Sequence, residues 1–376
     1  MGYELSIPAR INILGNPSDA CEGDFATISA AVDVRAGARV DAANDLILEA
    51  VQRTDGTLTV LTRLQFGRDE LPLPYDGELD LVKGAVNRLH AYSAEFRVKF
   101  SQRGVHLTTW TDVPRQSGLG GSSLFVLLTL AGLRSYYDLN PQVHNDYVLA
   151  ELTQRVEAKE LGITCGYADR YTPLFGGLAY IDYRGKLHQG QLHAEPYATY
   201  ERLDPWVRDL PLVAISTGIV RDSGDVHGRM RPRYIEEYDA WAERGGAPPP
   251  MVRFMQGAWA TAWQGKIALL AGDLETFGKL MSENHRLVND MMAYCCFQDG
   301  AGWANNLLID TALSGGAFGA KLTGAGGGGS VFAVTRPGHE GQLMERWRQT
   351  AAEAGLAGAR IYRPHVAERG LTVKEL

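Results

Sequence analysis

The stretch from Pro114 to Ser123 constrains the fold of this chain more than any other. It reads Pro-Arg-Gln-Ser-Gly-Leu-Gly-Gly-Ser-Ser and lies between a β-prone run ending at Trp110 and an apolar, helix-forming run starting at Leu124. Its glycines permit positive φ and close backbone approach, and a helix start leaves several amides unpaired. The order strand, glycine turn, helix start predicts either a phosphate-binding site or simply a helix with its cap.

The chain also offers oxygen ligands for a cation beside such phosphates. Ser122 and Ser123 directly follow the glycines and could cap the helix or hold a magnesium ion. Further along, a helix is predicted from about residue 142 to 161. It places Glu157 and Glu160 on one face, three residues apart.

Two charged residues stand in segments with few other charges. Arg10 lies in an apolar strand, where an unpaired guanidinium would be costly, so it is predicted to face a cleft or a carboxylate; the alternative is a surface position on an edge strand. Asp169 is the lone acidic residue in a segment, 163–171, that is predicted to be a loop. Near a metal-phosphate site it could orient or deprotonate a hydroxyl; otherwise it pairs with Arg170 or caps the loop.

A second glycine-rich segment follows a strand predicted at Ala317–Leu322. Five of the six residues from Gly324 to Gly329 are glycine, which leaves a loop with little side-chain bulk. Such a loop is predicted to approach the first glycine turn or its ligand, although a flexible tight connection would also explain it.

Three arginines, at positions 229, 231 and 233, cluster in a chain whose 37 basic and 44 acidic residues give a net charge of −7. Arginine forks bind carboxylates and phosphates bidentately, whereas a solvated helix face is the alternative for at least one of the three. The acidic balance argues against broad binding to nucleic acid or to anionic membranes. An anionic ligand would therefore need local features to hold it.

The length of 376 residues predicts two domains, with the junction in the irregular segment from about 185 to 205. Helices are predicted near 79–93 and through most of 249–313, and a strand at Phe96–Phe100. The four cysteines form no Cys-x-x-Cys pair, and no segment is long and apolar enough to span a bilayer. A cytoplasmic location without membrane contact is expected, and the oligomeric state is left open.

Three segments together resemble, in order and spacing, the signature motifs of the GHMP small-molecule kinases, which include galactokinase, homoserine kinase and mevalonate kinase. The segments are Pro8–Gly15, Pro114–Ser123 and Lys321–Gly329. The resemblance implies an α+β, two-domain fold: residues 1–200 would be similar to ribosomal protein S5 domain 2 and bind the nucleotide and magnesium. Residues 201–376 would form a ferredoxin-like domain with a helical segment and complete the sugar site.

The resemblance also implies roles for individual residues. Asp169 would be the catalytic base and Arg10 its basic partner; Ser122 and Glu157 would ligate Mg²⁺, with Glu160 as a rival to Glu157. ATP would be held by the second motif, at Pro114, Gly118, Leu119, Gly120, Gly121, Ser122 and Ser123. The acceptor would contact Asn16, Ser18, Asp19, Arg170, Ser223, Arg229, Arg231, Gly326 and Gly327.

Within the superfamily, the chain is similar to the glucuronokinases in Leu14–Asp19 and in Lys159–Ile163. This implies that ATP phosphorylates the anomeric hydroxyl of D-glucuronate, giving glucuronate 1-phosphate. The small, acidic segment 21–24 departs from the aromatic and basic residues of plant glucuronokinases. Galacturonate, a heptose phosphate and an inositol remain alternative acceptors, and a non-catalytic sugar-sensing homologue is a different class of function.

Overall fold

The structure, a computed structural model, describes residues 2–21, 25–54, 57–114, 117–163, 165–183, 197–207, 210–219, 223–324 and 326–376. Its strands are β1 (Tyr3–Leu14), β2 (Ala26–Ala43), β3 (Leu46–Thr54), β4 (Thr57–Phe66), β5 (Gly104–Thr111), β6 (Leu178–Asp182), β7 (Thr199–Arg202), β8 (Leu212–Ser216), β9 (Gly319–Thr323), β10 (Ser330–Val334), β11 (Arg360–Tyr362) and β12 (Thr372–Glu375). Its α-helices are α1 (Asp80–Tyr92), α2 (Ala94–Gln102), α3 (Gly121–Tyr136), α4 (Asp146–Arg155), α5 (Ala168–Phe175), α6 (Ser223–Arg244), α7 (Pro250–Leu270), α8 (Leu274–Tyr294), α9 (Trp303–Ser314) and α10 (Glu340–Glu353). No helix within these ranges combines the length and apolarity that a membrane crossing needs.

The larger sheet has the strand order β12-β1-β2-β5-β3-β4, and β6 and β7 extend it from β2. Neighbouring strands are antiparallel except for β3 and β5, which run parallel. Helix α3 packs on β1 and β2, and most of its buried residues are leucine, valine or alanine. Packing of this apolar helix on the sheet fixes the glycine turn before α3 next to strand β1, which carries Arg10.

The smaller sheet has the order β11-β8-β10-β9 and is antiparallel throughout. Helices α9 and α10 pack against each other and on this sheet, where the fully buried Trp347 donates its indole N–H to the carbonyl of Leu308 at 2.8 Å. Strands β9 and β10 are hydrogen-bonded neighbours, so the glycine-rich segment between them is their connecting loop.

The larger sheet draws on both halves of the chain. Its edge strand β12 comes from the C-terminal end and pairs with β1, with Ser6 opposite Thr372. Strand β7 continues past residue 200 and pairs with β6. The division into domains at residues 1–200 and 201–376 stays a prediction.

The predicted strand at Phe96–Phe100 is wrong, because these residues lie in helix α2. The alternating apolar residues Phe96, Val98 and Phe100 are typical of a strand. In the structure both phenylalanines are buried and Val98 is 59% exposed. The Ser93 hydroxyl accepts a hydrogen bond from the amide of Phe96 at 3.0 Å, which is a typical N-terminal cap. Two phenylalanines four residues apart on a capped segment form one face of a helix.

The predicted loop at 163–171 is also partly wrong, because α5 begins at Ala168 and carries Asp169. The helix predicted from about 142 to 161 is confirmed in its middle as α4. It continues into a π-helical turn at Val156–Glu160, which contains both glutamates. Such π-turns occur often at functional sites.

Candidate functional site

Arg10 joins three parts of the chain that are far apart in sequence. Its Nε and Nη2 lie 2.8 and 2.6 Å from Oδ1 of Asp169, and its Nη1 donates to the carbonyl oxygen of Gly118. Arg10 is 3% exposed, whereas the Asp169 side chain is partly exposed, so this ion pair lies where the interior meets the surface. The strand β1, the glycine turn before α3 and the start of α5 therefore meet at one guanidinium.

The Asp169 carboxyl is held in its ionised form. Burial favours the neutral acid, but the charges of Arg10 and Arg170, with the hydrogen bond from Arg10, outweigh it and lower the pKa of Asp169 below its usual value. The side chain keeps 24% of its surface exposed. Asp169 is thus a weak base that is ionised at neutral pH and that a ligand could reach.

The glycines of the turn are required by close contacts. Gly118 has a φ of +75°, and a Cβ there would lie 2.5 Å from the carbonyl oxygen of Thr323. Gly324, with a φ of +83°, approaches Gly118 from the other side: its own Cβ would meet Gly118 Cα at 2.8 Å. The predicted approach of the second glycine loop to the first thus occurs at the Gly118–Gly324 contact.

The start of α3 has the features of an anion site. Its N-cap is Gly120, with a φ of +78° and no side-chain cap, and the first turn contains no acidic residue. Ser122 is exposed, whereas Ser123 is buried and donates its hydroxyl to Glu157 Oε1 at 2.7 Å. Uncapped amides at the positive end of a sixteen-residue helix suit phosphate oxygens.

Glu157 and Arg170 form a buried ion pair behind this helix start. Arg170 Nη2 contacts Glu157 Oε2; the arginine is 0% exposed and the glutamate 3%. The other nitrogens of Arg170, Nε and Nη1, are buried without a hydrogen-bond partner. That Arg170 contacts a substrate stays a prediction: one nitrogen faces Glu157, and the other two have no partner within the described residues.

A cavity of about 530 Å³ adjoins α3 on the side of α1. Most of its wall is apolar, and Glu160 stands at its edge, paired with Arg88 and accepting a hydrogen bond from the Tyr75 hydroxyl at 3.1 Å. No local sequence pattern predicts this cavity, because its wall comes from five separate segments. The lining residues are Ala50, Tyr75, Gly77, Leu79, Asp80, Leu81, Val82, Thr109, Phe125, Glu160, Leu161 and Ile163.

Asp19 supports the helix that carries Asp169. Its Oδ2 accepts hydrogen bonds from the amides of Tyr167 and Ala168, each at 3.0 Å, at the N-terminus of α5. Burial and the nearby charge of Asp169 raise the pKa of Asp19. Ser18 is fully buried and donates its hydroxyl to the Gly15 carbonyl at 2.6 Å. Both residues, predicted to bind a substrate, also fix their own loop.

Lys321 was not singled out from the sequence, although a lysine inside the apolar strand β9 was a signal. It is 0% exposed, and its Nζ donates to Asn16 Oδ1 at 2.7 Å and to the Leu322 carbonyl at 3.0 Å. Burial lowers the pKa of Lys321 to about 7, with the charge of Asp19 opposing the shift. Near neutral pH both the protonated and the neutral form of this buried amine are therefore populated.

A change in stability with pH follows from the Lys321 pKa. Between pH 7 and 8.5 the unfolded state binds more protons at Lys321 than the folded state does, so this residue makes the free energy of unfolding rise with pH. The rise is at most about 1.4 kcal/mol per pH unit. Urea unfolding at several pH values should show a shallower rise in Lys321→Met than in wild type. Equal slopes would contradict the lowered pKa.

The remaining predicted substrate residues lie on the second half of the chain. Arg229 is exposed, pairs with Asp225 at 3.0 Å and stacks over the Phe297 ring, and Arg231 is half-buried on the same helix. Gly326 and Gly327 have positive φ, and Gly327 N–H donates to the Ala301 carbonyl at 2.7 Å. The side chain of Ser223 lies outside the described residues.

One further residue of α6 faces the site. The Nδ1 atom of His227 is buried without a hydrogen-bond partner. Burial lowers the pKa of His227, while the charges of Asp19 and Asp169 oppose the shift, which places its ring near both carboxylates. In the part of the chain that the structure describes, no three histidine, cysteine or acidic side chains form a ready metal cluster.

The chain is similar in sequence and in fold to known proteins. Residues 80–177 match the family described as GHMP kinases N terminal domain, and residues 304–353 match GHMP kinases C terminal. Probable glucuronokinase 2 of Arabidopsis thaliana is 30% identical to this chain over 352 residues, which cover 91% of this chain and 87% of the relative. Glucuronokinase 1 of the same plant is 28% identical over 347 residues, which cover 91% of this chain and 88% of the relative. The structure of Lactococcus lactis galactokinase complexed with galactose superposes with a TM-score of 0.75 at 22% identity, covering 100% of this chain and 95% of that one, which shows a shared fold.

Proposed function

The chain belongs to the GHMP kinase family, and on that basis we propose that it transfers the γ-phosphoryl group of ATP to the anomeric hydroxyl of a free sugar. The observation that carries the proposal is the position of Arg10, which contacts both the Asp169 carboxylate and the backbone of the phosphate-binding turn. A reacting hydroxyl beside Asp169 would lie next to the terminal phosphate. D-Glucuronate is the proposed acceptor, because the two glucuronokinases match 91% of the chain.

ATP would bind along the first glycine turn and the start of α3. The amides from Gly118 to Ser123 would receive the phosphates, since no side chain caps the helix and no acidic residue lies in its first turn. The apolar cavity between α1 and α3 is large enough for a purine base and adjoins the phosphate site. These features support a nucleotide as the phosphoryl donor.

Magnesium would be held by Ser122 and Glu157, beside the phosphates. The oxygen donors suit Mg²⁺, which is often bound through only one or two carboxylates while phosphates and water complete its shell, and Ser122 is exposed at the start of α3. The bonds from Ser123 and Arg170 fix the orientation of the Glu157 carboxylate. When bound, the ion would neutralise negative charge on the phosphates.

The remaining chemistry is positioning and charge stabilisation by the chain's own residues. Asp169 would accept a hydrogen bond from the acceptor hydroxyl and align it for in-line attack; its lowered pKa makes it an orienting group more than an early proton acceptor. Arg10 would hold Asp169 in place and stabilise charge on the transferred group. No covalent phosphoenzyme is needed.

A panel of acceptors tests the proposal. ADP release should depend on the added sugar, and D-glucuronate should give the highest kcat/KM in a set with galacturonate, glucose, galactose, a heptose phosphate and myo-inositol. A better turnover with another member would reassign the acceptor. Absence of sugar-dependent ADP release across the whole panel, with ATP bound, would favour a non-catalytic sugar-sensing protein instead.

A further inference from the structure

The loop after β1 is held from the other half of the chain at two points. Asn284 of α8 accepts from the Gly15 amide at 3.0 Å and donates from Nδ2 to the Asn16 carbonyl at 3.2 Å. Lys321 of β9 donates to the side-chain oxygen of Asn16 at 2.7 Å. Asn284 and Lys321 are both 0% exposed, so these bonds are shielded from water.

The lysine determines which way the Asn16 carboxamide points. In its protonated form Lys321 has donors and no acceptor, so the carboxamide turns its oxygen toward Nζ, in agreement with the 2.7 Å contact. The amide nitrogen then faces away from the lysine. Asn16 is 2% exposed, and its Nδ2 is buried without a hydrogen-bond partner. A buried donor without an acceptor is costly and indicates that a bound molecule supplies the acceptor.

The position of Asn16 indicates which molecule this is. Asn16 lies three residues before Asp19, which caps the helix that carries Asp169. The amide of Ala168, which donates to Asp19, directly precedes Asp169, so the loop of Asn16 lies against the end of α5 that carries the carboxylate. We therefore place the free N–H of Asn16 on the acceptor side of the site, whereas the glycine turn reaches the site through the contact of Gly118 with Arg10.

We propose that Lys321 is a positioning residue for the acceptor: it fixes the Asn16 carboxamide so that Nδ2 donates a hydrogen bond to a sugar oxygen. This inference rests on the proposed function. The two uncharged partners of the ammonium, Asn16 and the Leu322 carbonyl, leave positive charge behind the donor. Negatively charged and strongly accepting oxygens, such as those of a sugar acid, are the chemistry that this donor favours.

Two variants test the proposal by separating acceptor binding from stability. In Lys321→Met the carboxamide loses its fixed orientation, so the acceptor KM should rise about tenfold, the order expected for one hydrogen bond, while the ATP KM stays unchanged. In Asn16→Asp a carboxylate pairs with Lys321, so the Tm should equal or exceed that of wild type. The Nδ2 donor is lost, so the acceptor KM should rise at least as much as in Lys321→Met. The exposed Lys279→Met is the matched control and should change none of these values.

Each outcome has a distinct meaning. Suppose that a folded Lys321→Met or Asn16→Asp protein has an acceptor KM within about twofold of wild type. This change is smaller than the loss of one hydrogen bond produces, so it would overturn the role of Lys321 and leave the kinase proposal intact. Equal changes in the KM values for ATP and acceptor would indicate a purely structural lysine and also overturn it. A wild-type protein inactive on every sugar would contradict the proposed function itself, and this inference with it.

Discussion

Replacing Asp169 with asparagine is expected to lower kcat by about 10³-fold, within the range typical for loss of a positioned general base. The amide keeps the shape of the side chain but removes the charge that orients the acceptor hydroxyl and balances Arg10. ATP should still bind with nearly wild-type affinity, because the phosphate-binding amides belong to the separate start of α3. Steady-state ADP release measures the first effect, and calorimetric titration with ATP measures the second.

The exposed ion pair between Asp290 and Arg286 provides the matched control. Its atoms are 2.9 Å apart, and both side chains are more than 40% exposed. Asp290→Asn also removes an aspartate charge from an Asp–Arg pair. The kcat should stay at the wild-type value, and the free energy of unfolding should fall by no more than about 1 kcal/mol, the most that an exposed ion pair contributes. A near-normal kcat in Asp169→Asn would remove Asp169 from the mechanism.

Replacing Glu157 with glutamine should destabilise the protein by about 3–5 kcal/mol, the cost of leaving a buried charge without its partner. Arg170 is fully buried, and Glu157 is the carboxylate that its guanidinium contacts. Two of the arginine nitrogens have no hydrogen-bond partner, so no other hydrogen bond replaces the contact with Glu157, although the charge of Asp169 also acts on Arg170. Urea unfolding of the protein without nucleotide or magnesium isolates this effect from any loss of metal binding.

Two further variants show whether the buried charge is the cause. Glu160→Gln breaks a pair with Arg88 in which both side chains are more than 20% exposed, and the expected cost is below about 1 kcal/mol. Glu157→Gln combined with Arg170→Met removes both buried charges and should recover part of the lost stability. If Glu157→Gln proves no more destabilising than Glu160→Gln, the pair does not hold the helix start in place.

The parts that sequence could predict are those in which local pattern and chemistry agree. The apolar run after the glycines predicted α3, and the cost of a buried guanidinium predicted a cleft or a carboxylate next to Arg10. In the structure Arg10 pairs with the carboxylate of Asp169. The α+β fold of the GHMP kinases, implied by three motifs in order, is confirmed by the family matches and the structural similarity.

The parts that sequence could not predict depend on contacts between distant segments. Helix α5 forms inside a predicted loop because Asp19, almost 150 positions earlier, accepts hydrogen bonds from its first amides. The contact between Lys321 and Asn16 spans 305 positions. The orientation of Arg170 toward Glu157 depends on the π-turn, which the helical period does not show. No pattern within a short window contains these pairings.

A crystal structure with a non-hydrolysable ATP analogue and D-glucuronate tests the central claim most directly. The terminal phosphate should lie at the amides that begin α3, and the anomeric hydroxyl should lie within about 3 Å of an Asp169 carboxylate oxygen. A nucleotide bound away from the first glycine turn, or a sugar whose anomeric oxygen lies out of reach of Asp169, would contradict it.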